Sequence, residues 1–514
     1  MKTDFSGVRA LVMGLGIHGG GLESAKFLIR RGASVTITDL RSADVLAPSI
    51  KALDDYVRES NARALRYILG KHEQADFENA DLVIKNPGVR PDSPYLKAAR
   101  SVESDISLFL RENPARLSAV TGSKGKSFTA SAIFYGLQAF HHDQGHGKAY
   151  LGGNITVSPL SFLDELNAED DVVLELSSWQ LGDLFLKNEN HCRQGDAAWT
   201  DAGVGEAPSQ APGGKIFAPF FKPRIAVLTA IMSDHLDRYG TMDAYIADKR
   251  LIYKNQDSSC TTIALDDQWG RSFLRETNGR ALLCSVETPP DKAAAAWFDR
   301  GTGCAFARGP IGLLGKGEIT EIVGTETLTP GIHQKINLLE AGLALLDLGI
   351  EPSFIREKLS AFPGIEHRLE FFFEKDGVRY YNDTAATIPE AAAAAISALG
   401  NPILVTGGTD KMLDFSPLIK AAVKAKKIIL LAGSASDKLE KLFAGAGIPC
   451  EGPFDKLTTA VKLAVQSASC GDIVVLSPGC ASFGMFLNEF DRGRKWKQAV
   501  FDECSTGAEG QSRP

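Results

Sequence analysis

The chain has 514 residues, 44% of them hydrophobic and 23% charged, with a formal net charge of −7. That length accommodates three α/β domains with separate cores, and a mildly acidic balance without a basic block disfavours nucleic acid or an anionic membrane as the main partner. No apolar run reaches the length of a bilayer span, and the N-terminus enters a strand pattern without a signal-peptide core, so a cytoplasmic protein is expected. Eight cysteines, at 192, 260, 284, 304, 450, 470, 480 and 504, form no CxxC pair, which favours reduced structural thiols over disulfides or zinc.

Strand-like apolar runs alternate with helical patterns along the whole chain, the pattern of parallel α/β sheets. The first block opens with a strand from Val8 to Met13, then Gly14-x-Gly16-x-x-Gly19 and a helix through Arg31. A second strand, Ser34–Thr38, ends at Asp39. Glycines in a strand-to-helix turn with an acid about twenty residues further on form a dinucleotide-type fingerprint, here read as a nucleotide or nucleotide-sugar site. Asn86-Pro87-Gly88, after the strand Asp81–Ile84, lies at the carboxyl edge of the same sheet.

The second block holds the most informative stretch, Ala119 to Phe128 (AVTGSKGKSF). A strand runs into Gly122-Ser123-Lys124-Gly125-Lys126-Ser127 and then into a helix, which is how backbone N–H groups, a helix N-terminus, a lysine and a hydroxyl are gathered around a polyphosphate with Mg²⁺. ATP or GTP binding follows. Gly122 stands three residues before Gly125 rather than five, a compact form of the loop. Gly152-Gly153-Asn154 comes next, and then the strand 171–176 carries Glu175, a carboxylate placed where a phosphate-bound metal needs a protein oxygen. The strand Ile225–Thr229 leads to Asp234-His235 and to a helix with Lys249; His235, at a strand end, suits a site. His141, His142 and His146 read as a solvated connection rather than a metal site. The segment from Asn188 to Phe217 reads as a loop insertion with no assigned chemistry.

The third block contains His367-Arg368-Leu369-Glu370 and a strand ending in Asn382-Asp383-Thr384-Ala385-Ala386-Thr387. Two further strands end in Gly407-Gly408-Thr409-Asp410-Lys411 and Ser477-Pro478-Gly479-Cys480-Ala481-Ser482-Phe483. Three strand ends with polar or glycine-rich loops make a ligand-facing edge. Arg492, Arg494, Lys495 and Lys497 read as a solvated helical face.

The phosphate loop, Glu-Leu-Ser-Ser-x-Gln-Leu at 175–181, Asp-His-Leu-Asp-Arg-Tyr-Gly at 234–240 followed by Lys249, and the motifs at 367–370, 382–387 and 476–483 together resemble the Mur ligases. The resemblance spans nearly the whole chain and is nearest the D-glutamate-adding branch. The Asp-Asn-Pro-Arg motif of the diamino-acid-adding branch does not occur. The resemblance implies three domains: a Rossmann-like UDP-sugar domain over residues 1–113, a P-loop ATPase-like central domain over 114–363, and a Rossmann-like domain over 364–514. It implies an ATP-driven ligation in peptidoglycan precursor synthesis, in which the carboxylate of UDP-N-acetylmuramoyl-L-alanine becomes an acyl phosphate that the amino group of D-glutamate attacks.

Carried over by position, Gly122 to Ser127, Asn337, Arg368 and Asp383 would hold ATP. Ser127, Glu175, His235 and Lys249, the last as a carbamate formed with CO₂, would support two Mg²⁺ ions. Gly14, Gly16, Gly19, Asp39, Arg41, Asn86 and Asn154 would hold the UDP-sugar, and Thr387, Lys411, Ser482 and Phe483 the amino acid. Lys126, Glu175, His235, Lys249 and Arg368 would be the catalytic set of a monomeric enzyme. Four positions depart from the family pattern: Phe128 for a threonine, Gln334 for an asparagine, Ala385 for a lysine, and Glu489 where an aromatic is frequent. Ala385 removes a charge near the phosphates and Glu489 lies close to the expected amino-acid pocket, and altered charge at these two positions leaves L-glutamate or another amino acid as an alternative. A non-catalytic nucleotide- and UDP-sugar-binding regulator, a GTP-driven switch and a folate-type polyglutamate ligase are the other readings.

Overall fold

The computed structural model describes residues 3–17, 19–62, 65–155, 157–185, 220–288 and 294–506. His18 and the expected insertion at 188–217 lie outside the described residues. The chain forms two compact units, one of Met1–Trp297, Ala307–Thr320 and Glu340–Glu351, the other of Phe298–Phe306, Glu321–Leu339 and Pro352–Pro514.

In the first unit, β1 (Arg9–Met13), β2 (Ser34–Asp39), β3 (Arg66–Leu69), β4 (Leu82–Lys85) and β5 (Val102–Glu103) form a parallel sheet in the order β3-β2-β1-β4-β5. A second parallel sheet uses β6 (Arg116–Thr121), β7 (Ala149–Gly153), β8 (Asp171–Glu175), β9 (Ile225–Leu228), β10 (Thr261–Leu265) and β11 (Arg280–Ser285), in the order β11-β10-β9-β6-β8-β7. The strands β12 (Ala296–Asp299), β13 (Cys304–Arg308) and β14 (Ile319–Val323) follow in the chain. β8, β9 and β10 are buried at every position, as expected of parallel strands covered on both faces, and this is why they read as continuous rather than alternating apolar runs.

The second unit is built on a third sheet of β15 (Glu370–Lys375), β16 (Val378–Asn382), β17 (Ile403–Gly407), β18 (Lys427–Leu431), β19 (Glu451–Phe454) and β20 (Ile473–Leu476), in the order β15-β16-β20-β17-β18-β19. The β15–β16 hairpin is antiparallel and the remaining pairs are parallel. Ligand sites of such sheets form beyond the carboxyl ends of the strands, where loops meet helix N-termini.

Two expectations from the sequence fail here. His141 and His142 belong to the helix Lys126–Gln144, and His141 is buried with Nε2 2.9 Å from Asp171 Oδ2 and Nδ1 2.9 Å from the His146 carbonyl. The solvated connection was inferred from local polarity, whereas a strand-edge carboxylate provides the ring with a buried partner. Arg492 is likewise only 1% exposed, so the basic cluster of the last helix is not uniformly a solvated face. Lys497 is paired with Glu366 and Glu370, and Arg494 and Lys495 are exposed.

Candidate active site

The phosphate loop follows β6 and is anchored by the neighbouring strand. The N–H groups of Ser123 and Lys124 donate to the Ala230 carbonyl at 2.8 and 3.2 Å, and the Thr229 hydroxyl donates to the Lys124 carbonyl at 2.7 Å. A Cβ on Gly122 would lie 1.9 Å from Thr229 Oγ1, and Gly122 has φ +147°, so this position requires glycine. Gly125, with φ +95°, caps the helix Lys126–Gln144 in a left-handed conformation. The first turn of that helix supplies N–H groups without intrahelical acceptors. Lys126 Nζ donates to the Ser123 carbonyl at 3.0 Å. Ser123 serves as a strut: its hydroxyl donates to the Met232 carbonyl at 2.8 Å, accepts the Met232 N–H at 2.9 Å and meets the Tyr245 hydroxyl at 2.9 Å. Its N–H and hydroxyl thus face the protein rather than an anion.

Lys249 lies beneath the loop. It is 1% exposed, its Nζ donates to the Gly122 carbonyl at 2.7 Å, and the Tyr245 ring centroid is 4.5 Å away. Burial, reinforced by the charge of Lys126, pulls its pKa down to about 7. A lysine in this state carries a substantial neutral fraction near pH 7, which gives it a nucleophilic amine.

Glu175 ends β8. Its Oε1 accepts from Asn154 Nδ2 at 3.1 Å, and its Oε2 is buried with no hydrogen-bond partner. An orphaned carboxylate oxygen is costly in a protein interior and fits a cation. The donor set of Glu175, a serine hydroxyl and a histidine is compatible with Mg²⁺, whose remaining positions water and phosphate can fill. His235 has φ +52° at the start of a short helix, and its ring centroid lies 5.1 Å from that of Trp179. The Arg238 guanidinium lies over the same indole, 4.0 Å from its ring centroid.

Lys126, Asn154, His235 and Lys249 line one pocket of about 420 Å³, and Asn86 from the first sheet joins them. The helix Ser178–Asp183 forms part of the wall. Its Ser-Ser-x-Gln sequence makes a capping box, in which Ser177 and Gln180 satisfy each other's backbone N–H groups, so the motif first of all starts a helix beside Glu175. Asn154 is placed by its N–H to the Glu175 carbonyl at 2.8 Å and by Gly153, where a Cβ would approach that carbonyl to 2.2 Å.

Gly14, Gly16, Gly19, Asp39 and Arg41 gather at the carboxyl edge of the first sheet and do not line this pocket. Asp39 accepts the N–H groups of Gly16 at 3.1 Å and Arg41 at 2.9 Å, so its first function is to hold its own loop. The glycine that lets helix and strand approach closely is Gly21, where a Cβ would lie 2.1 Å from the Gly14 carbonyl. Sequence reading missed it because the motif counts only the first three glycines.

In the second unit, Asp383 accepts the Leu369 N–H at 3.0 Å and the Ser477 hydroxyl at 2.6 Å, and burial raises its pKa to about 7. The charge of Arg368 acts in the opposite direction, favouring the carboxylate. Thr387, Lys411, Ser482 and Phe483 lie on loops after β16, β17 and β20. Those loops interlock through Thr409 and Ala481, whose backbones exchange bonds of 3.0 and 3.1 Å, and through the Gly479 N–H to the Ala386 carbonyl at 2.8 Å. Arg492 stitches them from below, donating to Thr384 Oγ1 at 3.0 Å, to the Thr384 carbonyl at 2.9 Å and to the Cys480 carbonyl at 3.3 Å. Asn337 is held by Gln334 at 3.1 Å within its helix.

Two buried groups of the first unit had no sequence signal beyond a charge at the end of an apolar strand or helix. Lys85 and Asp183 form an ion pair of 2.5 Å with side chains 0% and 2% exposed. Asp105, which lines the pocket, accepts from Ser158 at 3.1 Å.

Family profiles match along the chain: "Mur ligase MurD-like, N-terminal domain" over 8–107, "Mur ligase middle domain" over 120–344 and "Mur ligase, glutamate ligase domain" over 367–480. A protein of Treponema pallidum (strain Nichols) named "UDP-N-acetylmuramoylalanine--D-glutamate ligase" is 38% identical over 551 residues, covering 96% of this chain and 97% of its own. A protein of the same name from Roseiflexus sp. (strain RS-1) is 37% identical, covering 96% and 98%. Among solved structures, the UDP-N-acetylmuramate-alanine ligase MurC of Thermotoga maritima is similar in fold with a TM-score of 0.53 at 18% identity, over 96% of this chain and 99% of that one. MurF of Acinetobacter baumannii gives 0.51 at 13% identity, over 96% and 94%. With relatives this similar along nearly its entire length, the chain belongs to the Mur ligase family.

Proposed function

We propose that this protein is the ATP-dependent ligase that adds D-glutamate to UDP-N-acetylmuramoyl-L-alanine in peptidoglycan precursor synthesis. The observation that carries the chemistry is the gathering of Lys126, Asn154, His235 and the buried Lys249 in one pocket, with the unpaired Glu175 oxygen at the adjoining strand end. A carboxylate is a poor electrophile. Transfer of the γ-phosphoryl group of ATP to the alanyl carboxylate makes an acyl phosphate; the amino nitrogen of D-glutamate then attacks the carbonyl carbon, the C–O bond to phosphate breaks, and the nitrogen loses a proton. The protein's contribution is to place two mutually repelling anions together and offset their charge.

In this reading Lys126 and the start of its helix hold the transferring phosphate, with Gly122 to Gly125 shaping the loop. Ser127, Glu175 and His235 would hold Mg²⁺ at two positions, and Mg²⁺ when bound neutralises phosphate oxygens. Lys249, as its neutral amine, would add CO₂ to form a carbamate and release a proton, exchanging a buried cation for a metal-supporting anion. Asn337, Arg368 and Asp383 are assigned to ATP. Gly14, Gly16, Gly19, Asp39, Arg41, Asn86 and Asn154 are assigned to the UDP-sugar, and Thr387, Lys411, Ser482 and Phe483 to the amino acid. Domain limits of 1–113, 114–363 and 364–514, a monomeric state and a cytoplasmic location complete the proposal. No helix among the described residues is long and apolar enough to cross a membrane.

The test is phosphate release from ATP and Mg²⁺ with UDP-N-acetylmuramoyl-L-alanine, comparing D-glutamate, L-glutamate, D-aspartate and no amino acid. Release that requires D-glutamate is expected. Release with L-glutamate or D-aspartate alone would overturn the amino-acid assignment, and no release under any of these conditions would overturn the acceptor as well.

A further inference from the structure

Lys85 and Asp183 stand at the ends of two elements that border the pocket. Lys85 is the last residue of β4 and directly precedes Asn86-Pro87-Gly88, which forms one wall. Asp183 is the last residue of the helix Ser178–Asp183, whose Ser178, Trp179 and Gln180 form the other. The ammonium lies 2.5 Å from Asp183 Oδ2 and 3.5 Å from the Asn86 carbonyl. A second polar contact lies at the same pocket: Ser158, from the loop after β7, donates to Asp105 at the start of the helix Asp105–Glu112, and both residues line it.

Burying two charges is a weak route to stability, because desolvation offsets most of their attraction, and apolar residues of similar volume often serve as well. What a buried pair supplies and an apolar contact does not is a defined separation and direction, since sliding either wall by an ångström leaves a charge unpaired in a dry interior. The walls so joined hold Asn86 on one side and the residues following Glu175 on the other.

We propose that the Lys85–Asp183 pair is a positioning device for the acceptor pocket, setting the Asn86 wall against the helix Ser178–Asp183 at the spacing that the UDP-linked acceptor requires. The inference rests on the ligase reading above. Lys85 and Asp183 act through Asn86 and the helix and touch no reacting atom.

The experiment compares wild type, Lys85→Met, Asp183→Asn and the double variant Lys85→Met/Asp183→Leu by thermal unfolding, by KM for the acceptor and for ATP, and by direct acceptor binding without ATP. Each single variant is expected to melt lower, while the double variant recovers most of the melting temperature because both members of the pair are removed together. Acceptor KM and Kd are expected to stay raised by roughly tenfold or more in all three, with the ATP KM within about twofold of wild type, as a misplaced wall demands. A double variant that regains both stability and wild-type acceptor affinity would reduce the pair to a stability element and overturn the inference. So would parallel increases in both KM values that follow the loss of stability. Should the double variant not fold, acceptor binding by Asp183→Asn decides, because unchanged affinity there overturns the proposal. Absence of acceptor-dependent turnover in the wild type would instead overturn the ligase reading, so the two failures are distinct.

Discussion

The first unit contains two glycine loops with the same local plan, strand, glycine turn and helix, each anchored by a neighbouring strand of its own sheet but braced by different further elements. The loop after β1 is held by its own sheet: Asp39 at the end of β2 accepts two backbone N–H groups, and Gly14 and Gly21 allow close packing against Asn86 and the strand end. The loop after β6 is also held by a neighbouring strand of its sheet, β9, and in addition by a helix further along the chain. Thr229, Ala230 and Met232 bind its backbone or Ser123, and Tyr245 and Lys249 of the helix Met242–Arg250 support it from beneath. The difference shows that the phosphate loop and the segment carrying His235 and Lys249 form one mechanical assembly, whereas the first loop is braced by Asp39, Ser49 and Asn86 around its own sheet.

That contrast can be broken most severely at Gly122. Gly122→Ala forces a Cβ onto Thr229 Oγ1 and is expected to lower ATP turnover by ~100-fold or more, as an ångström-scale displacement of the phosphate site would. A substantial recovery in Gly122→Ala/Thr229→Gly would identify the clash as the cause, and full activity in the single variant would contradict the anchoring.

Lys249 offers the next largest effect. Wild-type turnover is expected to rise with bicarbonate and, at fixed bicarbonate, to rise as pH increases through about 7, where the amine loses its proton. Lys249→Ala should be slower by roughly 100-fold and insensitive to bicarbonate, given the size of electrostatic contributions in such sites. An alanine variant as active as wild type at every bicarbonate level would remove the carbamate from the mechanism.

The smallest effect is expected in the loop after β1. Asp39→Asn keeps one carbonyl acceptor but loses the charge that binds two N–H groups, each charge-assisted bond contributing about 1.5–3 kcal/mol. It should raise the KM for the UDP-linked acceptor several-fold while leaving the ATP KM and kcat near wild type. A matching change in ATP kinetics would show that the two loops are coupled after all.

Much of the fold was legible because parallel strands buried on both faces read as unbroken apolar runs, and because Gly-Lys-Ser between strand and helix has few other uses. The phosphate loop, Glu175, Asn154, His235 and Lys249 could all be placed from strand ends and the family resemblance. Arg492 could not. Its neighbours Arg494, Lys495 and Lys497 gave it the look of a solvated face, and only the packing of the last helix under the loops after β16 and β20 shows that it donates to Thr384 and Cys480. Ser123 likewise belongs to a phosphate motif by sequence, while its hydroxyl is directed to Met232 and Tyr245.

By itself the sequence determined the α/β class, the glycine positions at the loops and the chemical types available to the site, because periodicity, backbone freedom and side-chain chemistry are local properties. The tertiary structure decided which of those groups are desolvated and what they face. Lys249 has a lowered pKa because it is buried beside another lysine, and Glu175 keeps one buried oxygen without a hydrogen-bond partner. Lys85 and Asp183 meet although 98 residues separate them. Dielectric environment and pairing depend on distances between remote segments, and those distances exist only once the sheets have packed.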